Sequence, residues 1–88
     1  MNVICIYDIV SNPQTGTKLK KILRRYLFHI QNSVFEGTLT PKQFKCLKSE
    51  IQNTVSDSRD QVIFYYTYRD RDLYQETIGK AQEIKNII

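Results

Sequence analysis

The chain opens with MNVICIYDIV, residues 1–10, the most informative segment for its architecture. It is a nearly continuous apolar run rich in β-branched side chains, which is typical of a central strand buried on both faces. Asp8 lies near the end of the run and is the only acidic residue among the first 35. A carboxylate at the exit of a buried strand is costly to desolvate unless it caps a turn, meets a cation or holds a metal ion.

Two segments beyond the first strand have well-marked helix starts. Asn12 is a suitable cap, and Pro13 after it suits the first helical position. The second helix is predicted at Thr40-Pro41-Lys42-Gln43, a capping box with proline in the first turn. Apolar residues recur at helical spacing after both starts, so each helix has one face for a core.

The remaining segments predict strands. Residues 29–39 are expected to form one extended strand with a kink or bulge near residues 32–33. Residues 61–68 and 73–78 are rich in β-branched and aromatic residues and predict two more strands. The tail, residues 80–88, is expected to be either a frayed helix or an added edge strand.

The resulting order is strand, helix, strand, helix, strand, strand, in a single α+β domain covering residues 1–88. Two helices cover only one face of a sheet in a chain of this size. The first strand is apolar on both sides, so a second copy of the chain is expected to cover the other face about a twofold axis. The sequence therefore predicts a homodimer.

Positive charge is concentrated in one short segment. The chain has 13 basic and 9 acidic residues, a net charge of +4. Five of the basic residues fall within residues 18–25, with no acid among them: Lys18, Lys20, Lys21, Arg24 and Arg25. On a helix they occupy the arc opposite the apolar face, a pattern that favours binding along a phosphate backbone over a merely solvated surface.

Several functional classes find no support in the sequence. No apolar run approaches the roughly 20 residues of a membrane span, and no secretory signal, Gly-rich phosphate loop or zinc ligand set is present. Cys5 and Cys46 lack metal-binding or redox spacing and are expected to be buried free thiols of a cytoplasmic protein. The clustered cations favour polyanion binding without a membrane over a plain structural dimer without nucleic acid.

Asp8 has two interpretations. If it lies near the twofold axis, the two copies of Asp8 face each other and could share Mg²⁺, which commonly takes one or two carboxylates and keeps several waters. Such an ion could assist phosphodiester cleavage, which makes Asp8 the candidate metal ligand and catalytic residue. Alternatively, Asp8 only caps the turn at Ser11 and Asn12 through backbone amides.

The chain also resembles a known family. Residues 7–9, YDI, end the first strand, and QNSVFEG at residues 31–37 follows the basic helix. Together with DQVIFY at residues 60–65 and TIG at residues 77–79, they resemble the CRISPR-associated protein two family along essentially the whole chain. The resemblance implies a ferredoxin-like fold, an antiparallel sheet with two helices on one face, and a homodimer with an interfacial aspartate pair, here Asp8, as magnesium site.

The resemblance implies two functions. One is spacer acquisition in CRISPR adaptive immunity, in which the dimer bridges the Cas-one integrase and holds double-stranded DNA. The other is metal-dependent endonuclease activity on RNA, single-stranded RNA included, or on DNA. The clustered cations and the missing catalytic base favour the binding adaptor as the main role and leave the hydrolase as the alternative.

Overall fold

The computed structural model describes residues 1–69 and 71–80. The elements are β1 (Asn2–Asp8), α1 (Pro13–Arg24), β2 (Phe28–Gln31), β3 (Val34–Thr38), α2 (Pro41–Thr54), β4 (Gln61–Tyr68) and β5 (Asp72–Gly79). The two strands predicted at residues 61–68 and 73–78 are confirmed as β4 and β5. The prediction for the tail falls, beyond Lys80, outside the described residues.

The five strands form one antiparallel sheet in the order β2-β3-β1-β4-β5. The helices pack on one side of it, where Leu19 and Leu23 of α1 and Leu47 of α2 join the buried core. The predicted α+β, ferredoxin-like fold is confirmed, and β5 is an additional strand at one edge of the sheet.

Burial along β1 alternates rather than covering both faces. Val3, Cys5 and Tyr7 are buried on the helix side, whereas Ile4 and Ile6 are 41% and 38% exposed on the other. The strand is central in the sheet, as predicted, but among the described residues only one of its faces is buried. We call the side of the sheet away from the helices the open face.

The prediction of one kinked strand over residues 29–39 is wrong. The segment is a hairpin in which β2 and β3 pair through a turn at residues 32–33. Asn32 has a φ of 39°, a left-handed conformation that asparagine tolerates better than most residues. A bulge does occur, but between His29 and Gln31 of β2.

Both predicted helix starts are confirmed. The Asn12 side chain accepts a hydrogen bond from the Gln14 amide at 2.8 Å. At α2, the Thr40 hydroxyl accepts from the Gln43 amide at 3.1 Å, and the Gln43 side chain accepts from the Thr40 amide at 2.9 Å. These contacts satisfy amides that have no partner within the helix.

The cysteines differ from each other. Both are free, but only Cys5 is buried, and burial raises the pKa of its thiol. Cys46 lies exposed on α2, contrary to the prediction that both thiols are buried. Within residues 1–69 and 71–80, no helix is long and apolar enough to cross a membrane.

Candidate functional site

Asp8 ends β1 with its side chain on the open face, because it alternates with the buried Tyr7. It is exposed and lies opposite Gln61 of β4. No described residue donates a hydrogen bond to its carboxylate in the structure, so both oxygens are available to a cation. The described part of the chain holds no group of three or more His, Cys, Asp or Glu side chains that could hold a metal ion.

Asp60, which no capping pattern in the sequence marks, caps the turn after β1 in place of Asp8. Its side chain is 1% exposed and accepts hydrogen bonds from the Val10 and Ser11 amides, both at 2.9 Å. The Ser11 hydroxyl donates to its second oxygen. The interpretation of Asp8 as the turn cap is therefore wrong.

The ionised form of Asp60 is favoured by these contacts. Burial by itself would raise the pKa of the carboxyl, but the hydrogen bonds from Ser11 and Val10 outweigh it, and the pKa lies below its ordinary value. The charge is thus retained at neutral pH and fixes the loop that follows Asp8. Asp60 precedes the sequence of β4 directly, but no local pattern shows that it reaches a loop 50 residues earlier.

The backbone of Asp60 also anchors the end of β5. Its carbonyl oxygen accepts a hydrogen bond from the Lys80 amide at 2.7 Å. Gly79 has a φ of +89°, and a Cβ at this position would lie 2.1 Å from the same oxygen. Only glycine fits here, because the conformation and the close approach both exclude a side chain. Asp60 therefore fixes the β1–α1 loop and the end of β5 against the start of β4.

Four of the five predicted nucleic-acid-binding cations form one exposed surface on α1. We call this set the cationic face: Lys18, Lys20, Lys21 and Arg24. None of them forms a salt bridge with a described residue. Leu19 and Leu23 on the opposite side of α1 are buried, so the apolar side fixes the direction in which the cations point.

Arg25 differs from the other four. It lies at the C-cap of α1 and forms a salt bridge with Glu50 of α2. Tyr26 donates a hydrogen bond to the other oxygen of the same carboxylate. The hydrogen bonds from Tyr26 and Arg25 lower the pKa of Glu50, so the carboxylate stays ionised and compensates the Arg25 charge. Arg25 therefore differs in its surroundings from the cationic face, and its role in nucleic-acid binding stays a prediction.

The sheet separates the cationic face from Asp8. The helices cover the side on which Val3, Cys5 and Tyr7 are buried, whereas Asp8 projects from the open face. Apolar side chains are exposed on that open face, with Ile4 and Ile6 on β1 and Phe28, 76% exposed, on β2. The two groups predicted to carry function are therefore on different surfaces of one chain.

The lone histidine, His29, has a structural environment. Its ring stacks on Phe35 with 4.6 Å between the ring centroids. Its Nε2 atom lies 2.7 Å from the carbonyl oxygen of Asn32 in the hairpin turn. These contacts hold the ring at the β2–β3 hairpin.

The sequence matches the family model described as CRISPR associated protein Cas2 over residues 1–74. It is 43% identical over 88 residues to the CRISPR-associated endoribonuclease Cas2 of Dictyoglomus turgidum, covering 96% of this chain and 99% of that protein. It is 38% identical over 79 residues to the protein of that name from Thermotoga maritima, covering 90% and 88% respectively.

Solved structures show the same likeness in three dimensions. One, described as a crystal structure of Cas2, has a TM-score of 0.71 at 32% identity and covers all of this chain and 97% of its own. Streptococcus pyogenes Cas2 at pH 6.5 has a TM-score of 0.69 at 27% identity, covering 80% of this chain and 89% of its own. Fold and sequence agree along nearly the whole length: the chain belongs to the Cas2 family of CRISPR-associated proteins.

Proposed function

We propose that this protein acts in spacer acquisition as a dimeric adaptor, which holds double-stranded DNA through its cationic faces and bridges the Cas-one integrase. The observation that carries the proposal is the cationic face itself. Four exposed side chains on one helix lack an acidic partner among the described residues, although Glu50 pairs with the adjacent Arg25. Cations that no described residue neutralises are available to phosphates, and they release counterions when they bind them.

The start of α1 supports the same role. The first turn of this helix contains no acidic residue, so no side chain there opposes the positive end of the helix dipole. The cations occupy the following turns, up to Lys21 and Arg24 in the last. The positive end of the helix dipole and the cations thus act in the same direction along the exposed side of α1.

The open face supports dimerisation. Ile4, Ile6 and Phe28 leave apolar surface exposed on a side of the sheet that neither α1 nor α2 covers. Burying such a patch is favourable, and a twofold axis lets the same patch cover itself. In a dimer of this kind, the two cationic faces lie on the outer surfaces, because α1 is on the opposite side of each sheet.

The experiment that tests the adaptor is DNA binding by the purified dimer at several salt concentrations, with variants of the cationic face. We expect Lys21→Gln/Arg24→Gln to weaken binding and to reduce its salt dependence. Binding that is unchanged in affinity and in salt dependence would reject the cationic face as the contact.

The second candidate function is that of a Mg²⁺-dependent endonuclease, which the names of the relatives and the position of Asp8 favour. The donor chemistry fits Mg²⁺, because the Asp8 carboxylate is exposed and accepts no hydrogen bond from a described residue. One chain supplies one carboxylate, so the second ligand would come from Asp8 of a second copy, with water completing the shell. The ion would supply charge stabilisation at a phosphate oxygen or an activated water.

The residues around Asp8 would hold its carboxylate in place rather than transfer a proton. Asp60 fixes the loop after Asp8 through Val10 and Ser11, and pairing with Gln61 fixes the strand end. We expect Asp8→Asn to abolish Mg²⁺-dependent cleavage of RNA and DNA substrates while dimer formation and DNA binding persist. Wild-type cleavage by purified Asp8→Asn would eliminate this function.

The adaptor is the better supported of the two. Asp8 projects from the opposite side of the sheet to the cationic face, so the cations of one chain do not converge on its carboxylate. His29, the only histidine, is committed to Phe35 and the hairpin turn. The exposed cations on which the adaptor rests lie together on one helix, whereas Asp8 is a single exposed carboxylate without a described catalytic partner.

A further inference from the structure

A cavity of about 370 Å³ lies beside the cationic face, between the start of α1 and the β2–β3 turn. We call it the Tyr7 cavity. Its principal lining residues are Tyr7 of β1, Gly16, Thr17 and Lys20 of α1, and Asn32 and Ser33 of the turn. Its volume is within the range of about 300–1,000 Å³ that is usual for small-molecule sites in proteins.

Tyr7 is the feature of this cavity that packing does not explain. Its side chain is only 8% exposed, and its hydroxyl is buried without a hydrogen-bond partner among the described residues. Buried polar groups are nearly always paired, because leaving one unpaired is destabilising. Tyr7 also lines the cavity, so a ligand whose binding brings a hydrogen-bonding group to this hydroxyl would supply the missing partner.

The other lining groups offer both donors and acceptors. The Thr17 hydroxyl donates to the Pro13 carbonyl at 3.2 Å, which leaves its oxygen free to accept. Ser33 carries a hydroxyl and Asn32 an amide, each able to donate and accept. The Ser33 carbonyl oxygen accepts from the Tyr7 amide at 3.2 Å, so the turn is held against β1.

This mixture matches a nucleobase better than a phosphate. A phosphate presents acceptors only, whereas the edge of a base presents donors and acceptors side by side. Lys20 lines the cavity and also belongs to the cationic face. A backbone phosphate held at Lys20 would therefore bring the adjoining base to the cavity.

We propose that the Tyr7 cavity receives one unpaired nucleobase of the nucleic acid that lies along the cationic face. The proposal rests on the nucleic-acid binding proposed above and specifies its substrate class: strands with an unpaired nucleotide next to the region held by α1. A base within a duplex cannot enter, because its hydrogen-bonding edge is occupied and it is stacked between neighbours.

Gly16 gives a variant that closes the cavity without disturbing the fold. A Cβ at this position would meet no heavy atom within 4 Å. Leucine is also a better helix former than glycine, so Gly16→Leu fills space in the cavity at no cost to α1. Gly16→Ala is the matched control, since it makes the same backbone change and leaves most of the volume open.

The experiment compares three DNA hairpins of identical stem: one blunt, one with a single-stranded overhang, and one with an abasic overhang of the same length. We expect the wild-type dimer and Gly16→Ala to bind the overhang hairpin about tenfold more tightly than the blunt one. The abasic overhang should give no such gain. Gly16→Leu should bind all three hairpins equally, with the affinity of the wild type for the blunt hairpin.

An equal affinity of the wild type for all three hairpins would overturn the proposal, as would a gain that persists in Gly16→Leu. If no hairpin binds, the proposed adaptor function fails, and the cavity is tested separately. Nucleoside monophosphates titrated into ¹⁵N-labelled protein should shift the amides of Gly16, Thr17 and Ser33 saturably, more weakly in Tyr7→Phe and not in Gly16→Leu. Absence of these shifts in the wild type would overturn the cavity as a base site.

Discussion

The salt dependence of DNA binding gives the sharpest prediction, because the structure divides the clustered cations into two kinds. Lys21 and Arg24 are exposed on α1 without an acidic partner in the described part of the chain. Arg25 directs its guanidinium at Glu50. We expect the first two to contribute to the salt dependence of binding and the third to contribute little.

The magnitude follows from counterion release. Each phosphate neutralised on duplex DNA changes the slope of log affinity against log salt by roughly −0.9. Lys21→Gln/Arg24→Gln removes two cations from each chain, hence four from a dimer that uses both faces, and the slope should become less steep by about 3.6. Over a fourfold rise in salt, the wild type should then lose about 150-fold more affinity than this variant.

Two controls make the measurement specific. Lys42→Gln/Lys45→Gln removes the same formal charge from exposed positions of α2, and Arg25→Gln removes a charge that Glu50 already compensates. The assay is equilibrium binding of a labelled duplex by fluorescence anisotropy from about 50 to 200 mM salt, the range in which such slopes are resolved. A change in slope smaller than roughly 0.9, the value for one phosphate contact, would contradict this division of the cations. An equal change in slope for the α2 control would contradict it as well.

Three further predictions concern the residues around the β1–α1 loop. Asp60→Ala should lower the free energy of unfolding in urea by about 2–4 kcal/mol, since it removes charge-assisted bonds to Val10 and Ser11. Because the folded pKa of Asp60 is lowered, the stabilisation it contributes is present above the unfolded value near 3.8 and is lost as the pH falls through the folded pKa. Asp60→Asn should therefore flatten the fall of the unfolding free energy at acidic pH. An unchanged fall would contradict the assignment of Asp60. Gly79→Ala should destabilise the folded protein by more than about 1 kcal/mol, because of the positive φ and the nearby Asp60 oxygen. Gly16→Ala should stabilise it by up to about 1 kcal/mol. Equal effects of the two substitutions in thermal melts would be inconsistent with the two environments. Tyr7→Phe should leave the melting temperature unchanged or raise it, because the hydroxyl it removes has no partner among the described residues, and a marked loss would show that this hydroxyl is satisfied.

Local signals in the sequence were sufficient for the helix starts and the last strands. The caps at Asn12 and Thr40 were predictable because their hydrogen bonds span no more than three residues. Residues 61–68 form β4 with the predicted bounds, since an uninterrupted apolar and aromatic run leaves few alternatives. The turn within residues 29–39 was missed because it contains neither glycine nor proline, and Asn32 takes the left-handed conformation instead.

The candidate site was predictable only in part. Asp8 and the cations of α1 stand out by type and spacing, and the structure leaves them exposed. Asp60 could not be assigned to the loop after Asp8, and Arg25 could not be distinguished from its neighbours, because their partners are 49–50 and 25 residues away. The Tyr7 cavity likewise combines β1, α1 and the hairpin turn, which no local pattern relates.

The sequence by itself determined the α+β class, the concentration of positive charge on one helix and the family resemblance. The class and the charge concentration follow from composition and periodicity, which act over a few residues, whereas the resemblance rests on the motifs at residues 7–9, 31–37, 60–65 and 77–79. Only the tertiary structure decided that Asp60 rather than Asp8 caps the turn, that Glu50 compensates Arg25, and that Asp8 and the cationic face lie on opposite sides of the sheet. The physical reason is that chain topology determines which distant polar groups meet, and those meetings decide which charges are satisfied within the chain and which are left for a ligand.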